Sequence, residues 1–128
     1  MQLSFLVAKA LMEGDFATYF ASVPSSLDDG EPIVLRQGAF EREAVLDWCE
    51  RGRVPVRVLV VRDEEAEAEA VAGACERWVR RYGWEPVAEN GSWRVCGIDT
   101  SAPAAAGRDD SGRYVWAFEV GMTVVRSL

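Results

Sequence analysis

The last fifteen residues of the chain alternate between two sets of side chains, which is the period of a β-strand. One face of this predicted closing strand carries Tyr114, Trp116, Phe118, Val120, Met122 and Val124. The other face carries Val115, Ala117, Glu119, Gly121, Thr123 and Val125. A strand with three aromatic side chains on one face has to be covered, either by the rest of this chain or by a neighbouring chain.

Three further stretches have strand character. The run "RVPVRVLVVRD" (53–63) is rich in valine, which is typical of a central strand. The shorter run "PIVLRQG" (32–38) predicts another strand. The run "WRVCGIDTSAP" (93–103) predicts a third, and we expect a loop rich in alanine and glycine to follow it and lead into the closing strand.

Two stretches have the period of a helix. Residues 3–20 carry apolar side chains at helical spacing around Gly14, which predicts either one helix or two short ones. A second helix is predicted after Asp63 as N-cap, with Gly83 as the residue just past its end. Its first turn is acidic, with Glu64, Glu65 and Glu67, and its predicted sheet-facing stripe is Val71, Cys75, Trp78 and Tyr82.

Two other segments connect these elements. "SVPSSLDDGEP" (22–32) is a predicted loop because proline, serine, aspartate and glycine dominate it. "FEREAVLDWCERGR" (40–53) is ambiguous, since its apolar side chains alternate as in a strand whereas its glutamates favour a helix.

The order of these elements predicts an α+β fold. We expect a small mixed, mostly antiparallel sheet of four to five strands, with two helices packed on one face. The long second helix connects two strands by a crossover, so at least one pair of strands can be parallel. The length of 128 residues, 49% of them apolar, suits one domain over 1–128 with a single core.

The charge of the chain narrows the range of partners. The net charge of −7 argues against nucleic-acid binding through neutralised phosphates. Thirteen of the 14 basic residues are arginines, which pair well with carboxylates and are enriched at protein interfaces. Lys9 interrupts the apolar start of the chain and no cleavage site follows, so we expect neither a signal peptide nor a membrane span.

A search for catalytic chemistry finds little. The chain has no histidine, no nucleophile elbow and no glycine-rich phosphate loop. The aspartate pairs 28–29 and 109–110 lie in glycine-containing segments where turn chemistry explains them. The three cysteines form no metal or disulfide pattern, and we expect Cys75 and Cys96 to be buried and unpaired. We therefore predict no enzyme, no cofactor and no metal.

The C-terminal region resembles a known family. Residues 98–126 contain three short motifs before an alternating aromatic strand. They are a Ser-x-Pro turn (Ser101-Ala102-Pro103), a Gly-Arg-Asp step (Gly107-Arg108-Asp109) and a turn tip that ends in Gly-Arg (Asp110-Ser111-Gly112-Arg113). This succession is similar to the end of the small tail-terminator, or tail-completion, proteins of long-tailed bacteriophages. The order of elements fits over most of the chain. The resemblance also favours a strand over 43–49, where this sequence departs from the family's glycine-containing turn.

The resemblance implies a structural virion protein. Such proteins form hexameric rings that cap the tail tube and meet the head-side connector, so self, tube protein and connector protein are the implied partners. The implied location is the head–tail junction of the virion, with assembly in the host cytoplasm. A monomeric acidic binding module of the immunity or antitoxin type is the alternative that the charge favours. An enzyme ranks third.

A ring needs two different complementary patches on each copy. We expect the segment 103–113 to provide one patch and the acidic start of the second helix to provide the other. The alternative is that the closing strand is a hairpin strand packed under the two helices, with the loop 103–113 free in water. The candidate interface residues are Arg108, Asp109, Asp110 and Arg113 on one side, and Glu64, Glu65 and Glu67 on the other.

Overall fold

The structure is a computed structural model that describes residues 3–16, 18–20, 32–84, 87–89 and 93–127. Its two helices are α1 (Ser4–Glu13) and α2 (Glu65–Arg81). Its strands are β1 (Thr18–Phe20), β2 (Ile33–Gln37), β3 (Glu41–Val45), β4 (Cys49–Arg62), β5 (Val87–Glu89), β6 (Trp93–Thr100), β7 (Ala104–Arg108) and β8 (Tyr114–Ser127).

The two longest strands, β4 and β8, form a central ribbon. They pair antiparallel along their full length, from Cys49 opposite Ser127 to Arg62 opposite Tyr114, without a register shift. Shorter strands pair with the outer edges of this ribbon. β2 and β3 each cover one half of β4, and β6 and β7 each cover one half of β8.

The predicted α+β class is confirmed. The main path through the sheet is β1-β2-β4-β8-β6-β5, and of its pairs β1–β2 is parallel. This path has six strands where four to five were expected, and β3 and β7 lie beside it. The additional strands are three to five residues long, which is too short for a period to stand out in the sequence.

The alternation along the ribbon separates two faces. On the helix face, both helices pack on a core that includes Val54, Val56, Val58, Val60, Phe118, Val120, Met122 and Val124. On the opposite face, here the open face, a smaller cluster contains Val34, Leu59, Val61, Val115 and Ala117. The predicted faces of the closing strand and the predicted placement of both helices on one side of the sheet are therefore confirmed.

The first helix is shorter than its apolar pattern allows. α1 ends at Glu13, and residues 18–20 belong to β1, so the prediction of helix over 3–20 is wrong beyond Gly14. The indole of Trp78 lies against Gly14, where an added Cβ would come within 2.8 Å of Trp78 Cε2. Trp78 Nε1 also donates to the carbonyl of Ala10 at 2.7 Å, which holds α2 against the end of α1.

The second helix differs in its details from the prediction. Its N-cap is Glu64 and makes no side-chain capping bond, so the assignment of Asp63 as N-cap is wrong. Gly83 follows the C-cap Tyr82, as predicted. The buried stripe is Ala68, Ala72, Cys75 and Val79, and Val71 packs against the same core while partly buried. The predicted stripe is therefore right at Val71 and Cys75 and wrong at Trp78 and Tyr82. Small alanines lie on the sheet because they allow a close approach, whereas the larger Trp78 leaves the stripe and contacts α1.

Three predictions about the strands have mixed outcomes. The predicted strand over 43–49 is confirmed at 43–45, which belong to β3, and at Cys49, which begins β4. Residues 46–48 form a turn between the two strands. The predicted loop after Pro103 is wrong over 104–108, which form β7. The expected burial of Cys96 is also wrong, because the register of β6 shifts between Val95 and Gly97 and leaves Cys96 exposed. Cys75 is buried as expected, and burial raises its pKa to about 12.

Two sequence predictions concern other parts of the chain. The predicted loop over 22–32 falls almost entirely outside the described residues, as do its aspartates at 28 and 29. Within the part of the chain that the structure describes, neither helix is long and apolar enough to cross a membrane.

Candidate protein-interaction surfaces

The turn between β7 and β8 is organised by Asp109. Its Oδ1 accepts the backbone N–H of Ser111 at 3.0 Å and of Arg113 at 2.8 Å. The backbone N–H of Asp109 donates to the carbonyl of Arg113 at 2.9 Å, which closes the turn. Gly112 has a φ of +79°, a conformation that glycine adopts without strain.

Most of the charged side chains in and beside this turn have partners within the chain. Arg113 Nε donates to Asp109 Oδ2 at 2.7 Å, and the two side chains are only 7% and 8% exposed. Burial alone would raise the pKa of Asp109, but the hydrogen bonds from Arg113 outweigh it and hold this pKa below its ordinary value. The guanidinium of Arg108 lies 4.2 Å from the centre of the Tyr114 ring and donates to its hydroxyl. Of the four predicted residues in this segment, Arg108 and Asp110 are exposed.

The acidic residues predicted as the second patch lie at the start of α2. Glu64, Glu65 and Glu67 are exposed there, at the end of the helix that follows β4. Glu67 Oε1 lies 3.7 Å from Arg62 Nε, at the last position of β4. Their position near the positive end of the helix dipole gives these acids a local role in stabilising α2.

A more conspicuous surface lies at the other end of the central ribbon. The turn between β3 and β4 lies next to the pair of Cys49 with Ser127, where the ribbon ends. The backbone N–H of Leu46 donates to the carbonyl of Cys49 at 2.7 Å and closes this turn. We call residues 45–48 the hairpin tip. Val45 is 55% exposed, Leu46 58% and Trp48 72%. Three large apolar side chains together in water are typical of an interaction site.

The base of the hairpin tip is fixed by a buried carboxylate. Glu50 is 2% exposed and accepts Arg42 Nε at 2.6 Å and also Arg126 Nε. The guanidinium of Arg126 lies 4.1 Å from the centre of the Phe40 ring, which itself packs over Gly52. The hydrogen bond from Arg126 is the main reason that the pKa of Glu50 lies below its ordinary value. These contacts tie β3 and β8 to β4 and hold the tip in place.

The open face of the sheet carries a cleft of about 370 Å³, which we call the open-face cleft. Its apolar lining is Leu59, Ala106 and Val115, and its polar lining is Arg36, Arg57, Arg108, Asp109 and Asp110. Arg36 and Arg57 are directly opposite each other on β2 and β4, and both are exposed. Glu119 lies directly opposite Arg57 on β8, and Asp109 and Asp110 line the same cleft, so the cleft combines charges of both signs.

Sequence reasoning missed both of these surfaces. The tip residues alternate like the rest of a buried strand, and only Asp47 between Leu46 and Trp48 signals a turn. Arg36 and Arg57 are 21 positions apart, so their opposition appears only when the register of β2 and β4 is known. The strand register is thus the information that the sequence pattern lacked.

The remaining chemistry of the described residues is sparse. Among them, no group of three cysteine, aspartate or glutamate side chains is placed to hold a metal ion. Comparison of the sequence with protein-family models and with curated proteins finds no match. The two surfaces therefore have to be interpreted from their own geometry.

The turn at Asp109 generates a stability prediction. Asp109→Ala should lower the free energy of unfolding by about 3 kcal/mol, because it removes a buried carboxylate that is paired with Arg113 and the hydrogen bonds that close the turn. Asp110→Ala is the matched control in the same turn and should change it by less than about 0.5 kcal/mol, since Asp110 is exposed. Urea denaturation measures both. Equal effects of the two variants would contradict this account of the turn.

The lowered pKa of Glu50 predicts a pH dependence. The carboxylate stabilises the fold above its unfolded pKa, near the ordinary 4.5, and this contribution is lost as the pH falls through the lower folded value. Glu50→Gln should therefore have a lower free energy of unfolding than wild type at neutral pH. The difference between the two proteins should become smaller below about pH 4. Denaturation at several pH values measures it. Glu43→Gln is the control, because Glu43 lies in the same hairpin but is exposed. A stability difference between Glu50→Gln and wild type that stays constant with pH would refute the prediction.

Proposed function

We propose that this protein is a structural virion protein that assembles with copies of itself into a ring. In this proposal the ring caps the tail tube of a long-tailed bacteriophage and joins it to the head-side connector. The observation that carries the proposal is the hairpin tip, where Val45, Leu46 and Trp48 are each more than half exposed. Contact with another protein surface removes these apolar side chains from water and so lowers the free energy of the system.

The two ends of the central ribbon offer the two different surfaces that a ring requires. The tip lies at one end of the central ribbon, whereas the turn at 109–113 lies at the other end. A contact between two such different surfaces is head-to-tail, and head-to-tail contacts close into rings when the rotation between copies allows it. The resemblance of residues 98–126 to tail-terminator proteins points to the same kind of assembly. This function uses no catalytic chemistry.

The sequence also favours one other candidate. The net charge of −7 suits a monomeric acidic module that masks a basic partner. In that case the hairpin tip would contact the partner protein, and the chain alone would stay a monomer. The oligomeric state of the purified protein therefore separates the two candidates.

Sedimentation velocity tests the proposal. The wild-type chain of 14.1 kDa should sediment as an assembly of several copies, and a hexamer is expected from the resemblance. The double variant Leu46→Ser with Trp48→Ser should lower the assembled fraction at least tenfold, because it removes the apolar side chains of the tip.

Met12→Ser is the matched control for this experiment. Met12 is 62% exposed on α1, so the change removes a similarly exposed apolar side chain outside the tip and should leave the assembly intact. A wild-type chain that remains monomeric at every accessible concentration would refute the ring and favour the binding module.

A further inference from the structure

We propose that Glu50 is the positioning residue of self-assembly, because it holds the hairpin tip in the orientation that a neighbouring copy binds. This inference rests on the proposed self-assembly and adds the group within the chain that controls it. The side chain of Glu50 is buried, so it does not touch the neighbour itself. It acts through β3, the strand that leads into the tip.

The strand register places Glu50 at the base of the tip. On β4 it lies directly opposite Val45, the first residue of the tip, and on its other side it lies opposite Arg126 of β8. Among the described strands, β3 pairs with β4 alone, and the register of this pair shifts between Arg42 and Ala44. The backbone ladder is therefore interrupted just before the tip, and side-chain contacts have to fix the tip there.

Two arginines hold the carboxylate of Glu50 from the two flanking strands. Arg42 Nε on β3 donates to Glu50 Oε2 at 2.6 Å, and Arg126 Nε on β8 donates to Glu50 Oε1. The bond from Arg42 spans the register shift, so it restores the connection that the ladder lacks at this point. Charge-assisted hydrogen bonds of this kind are about twice as strong as neutral ones.

The contacts around Glu50 close on themselves. The guanidinium of Arg126 lies 4.1 Å from the centre of the Phe40 ring, and Phe40 directly precedes β3. The segment that leads into the tip is thus held to β8 through Phe40 and to β4 through Arg42. Both connections end at the same carboxylate, which makes Glu50 the residue on which they depend.

A tip that is already ordered binds a neighbour more tightly than a mobile one. It loses little conformational entropy in the contact, because its side chains are oriented before the neighbour arrives. Without the negative charge of Glu50, both guanidinium groups lose their charged acceptor and the tip is held only by the interrupted ladder. The apolar side chains of the tip are then still present, but they contact the neighbour in many orientations and bind it weakly.

Sedimentation velocity of full-length Glu50→Gln tests the inference. Glutamine keeps the shape of the side chain but removes the charge that faces Arg42 and Arg126, so the assembled fraction at neutral pH should fall by about tenfold or more. Glu43→Gln is the matched control, because it removes the same charge from an exposed position of β3 and should assemble like wild type.

Val58→Ala separates positioning from a general loss of stability. Val58 is buried in the core and lies eight residues from Glu50, about 26 Å along β4. This variant should have a lower free energy of unfolding but an intact tip, and it should assemble like wild type while it is folded by far-UV circular dichroism.

A second variant keeps the inference testable if Glu50→Gln does not fold. The side chain of Arg42 is 61% exposed, so Arg42→Met should fold, and it leaves Glu50 paired with Arg126. It should also lower the assembled fraction, because the bond across the register shift is lost. Arg42→Lys keeps a cation beside Glu50 and should recover most of the assembly.

The pH profile gives a readout that a purely structural residue would not change. Arg42 and Arg126 are the charged groups that face Glu50 from the flanking strands, and they favour its ionised form. The wild-type chain should lose assembly as the pH falls through the lowered pKa of Glu50. The ratio of the assembled fractions of wild type and Glu50→Gln should therefore approach one.

The possible failures are distinguishable. A folded Glu50→Gln that assembles like wild type overturns the positioning role and leaves the proposed ring standing. The same holds if Val58→Ala loses assembly as strongly as Glu50→Gln, or if the ratio of the two assembled fractions stays constant with pH. A wild-type chain that is monomeric throughout refutes the proposed function itself, and the positioning role with it.

Discussion

The unbroken pairing of β4 with β8 is the constraint on which the rest of the structure depends. Fourteen residue pairs stay in one register, so even-numbered side chains of both strands face the helices and odd-numbered ones face the opposite side. A shift by one residue would move the valines of β4 out of the core and its arginines into it. The ribbon therefore fixes the core and the charged open face together.

The same ribbon also separates the hairpin tip from the open-face cleft. Its length of fourteen residues corresponds to roughly 45 Å, which exceeds the reach of any side chain. The hairpin tip lies at one end, anchored by Glu50 between Arg42 and Arg126. The open-face cleft lies toward the other end, beside the turn held by Asp109. The two ends of the ribbon therefore present different chemistry.

Much of the fold could be predicted from the sequence, and the reasons for the failures are physical. The closing strand, the valine-rich strand and α2 are long enough for a period to show, and all three are confirmed. The short strand β7 has no such period, and the shift beside Cys96 depends on pairing with β8. In α2 the predicted stripe is right at Val71 and Cys75 but wrong at its two aromatic residues, because small alanines lie on the sheet at the positions that allow a close approach.

The candidate interface was harder to predict because it depends on strand register. Asp109, Asp110 and Arg113 lie in one turn as expected, whereas Arg108 ends β7. Asp109 and Arg113 pair with each other inside the chain. Whether Arg108, Asp110 and the acids of α2 meet a neighbour stays a prediction. The opposition of Arg36 and Arg57 follows only from the pairing of β2 with β4.

Thiol labelling at the hairpin tip tests most directly whether copies of the chain bury this tip between them. The chain would carry Asp47→Cys in the tip, with Cys96→Ser to remove the exposed native thiol, while Cys49 and Cys75 are buried. The account predicts that a thiol reagent modifies position 47 much more slowly in the assembled protein than in the dissociated chain. Equal labelling rates in the two states would contradict the account.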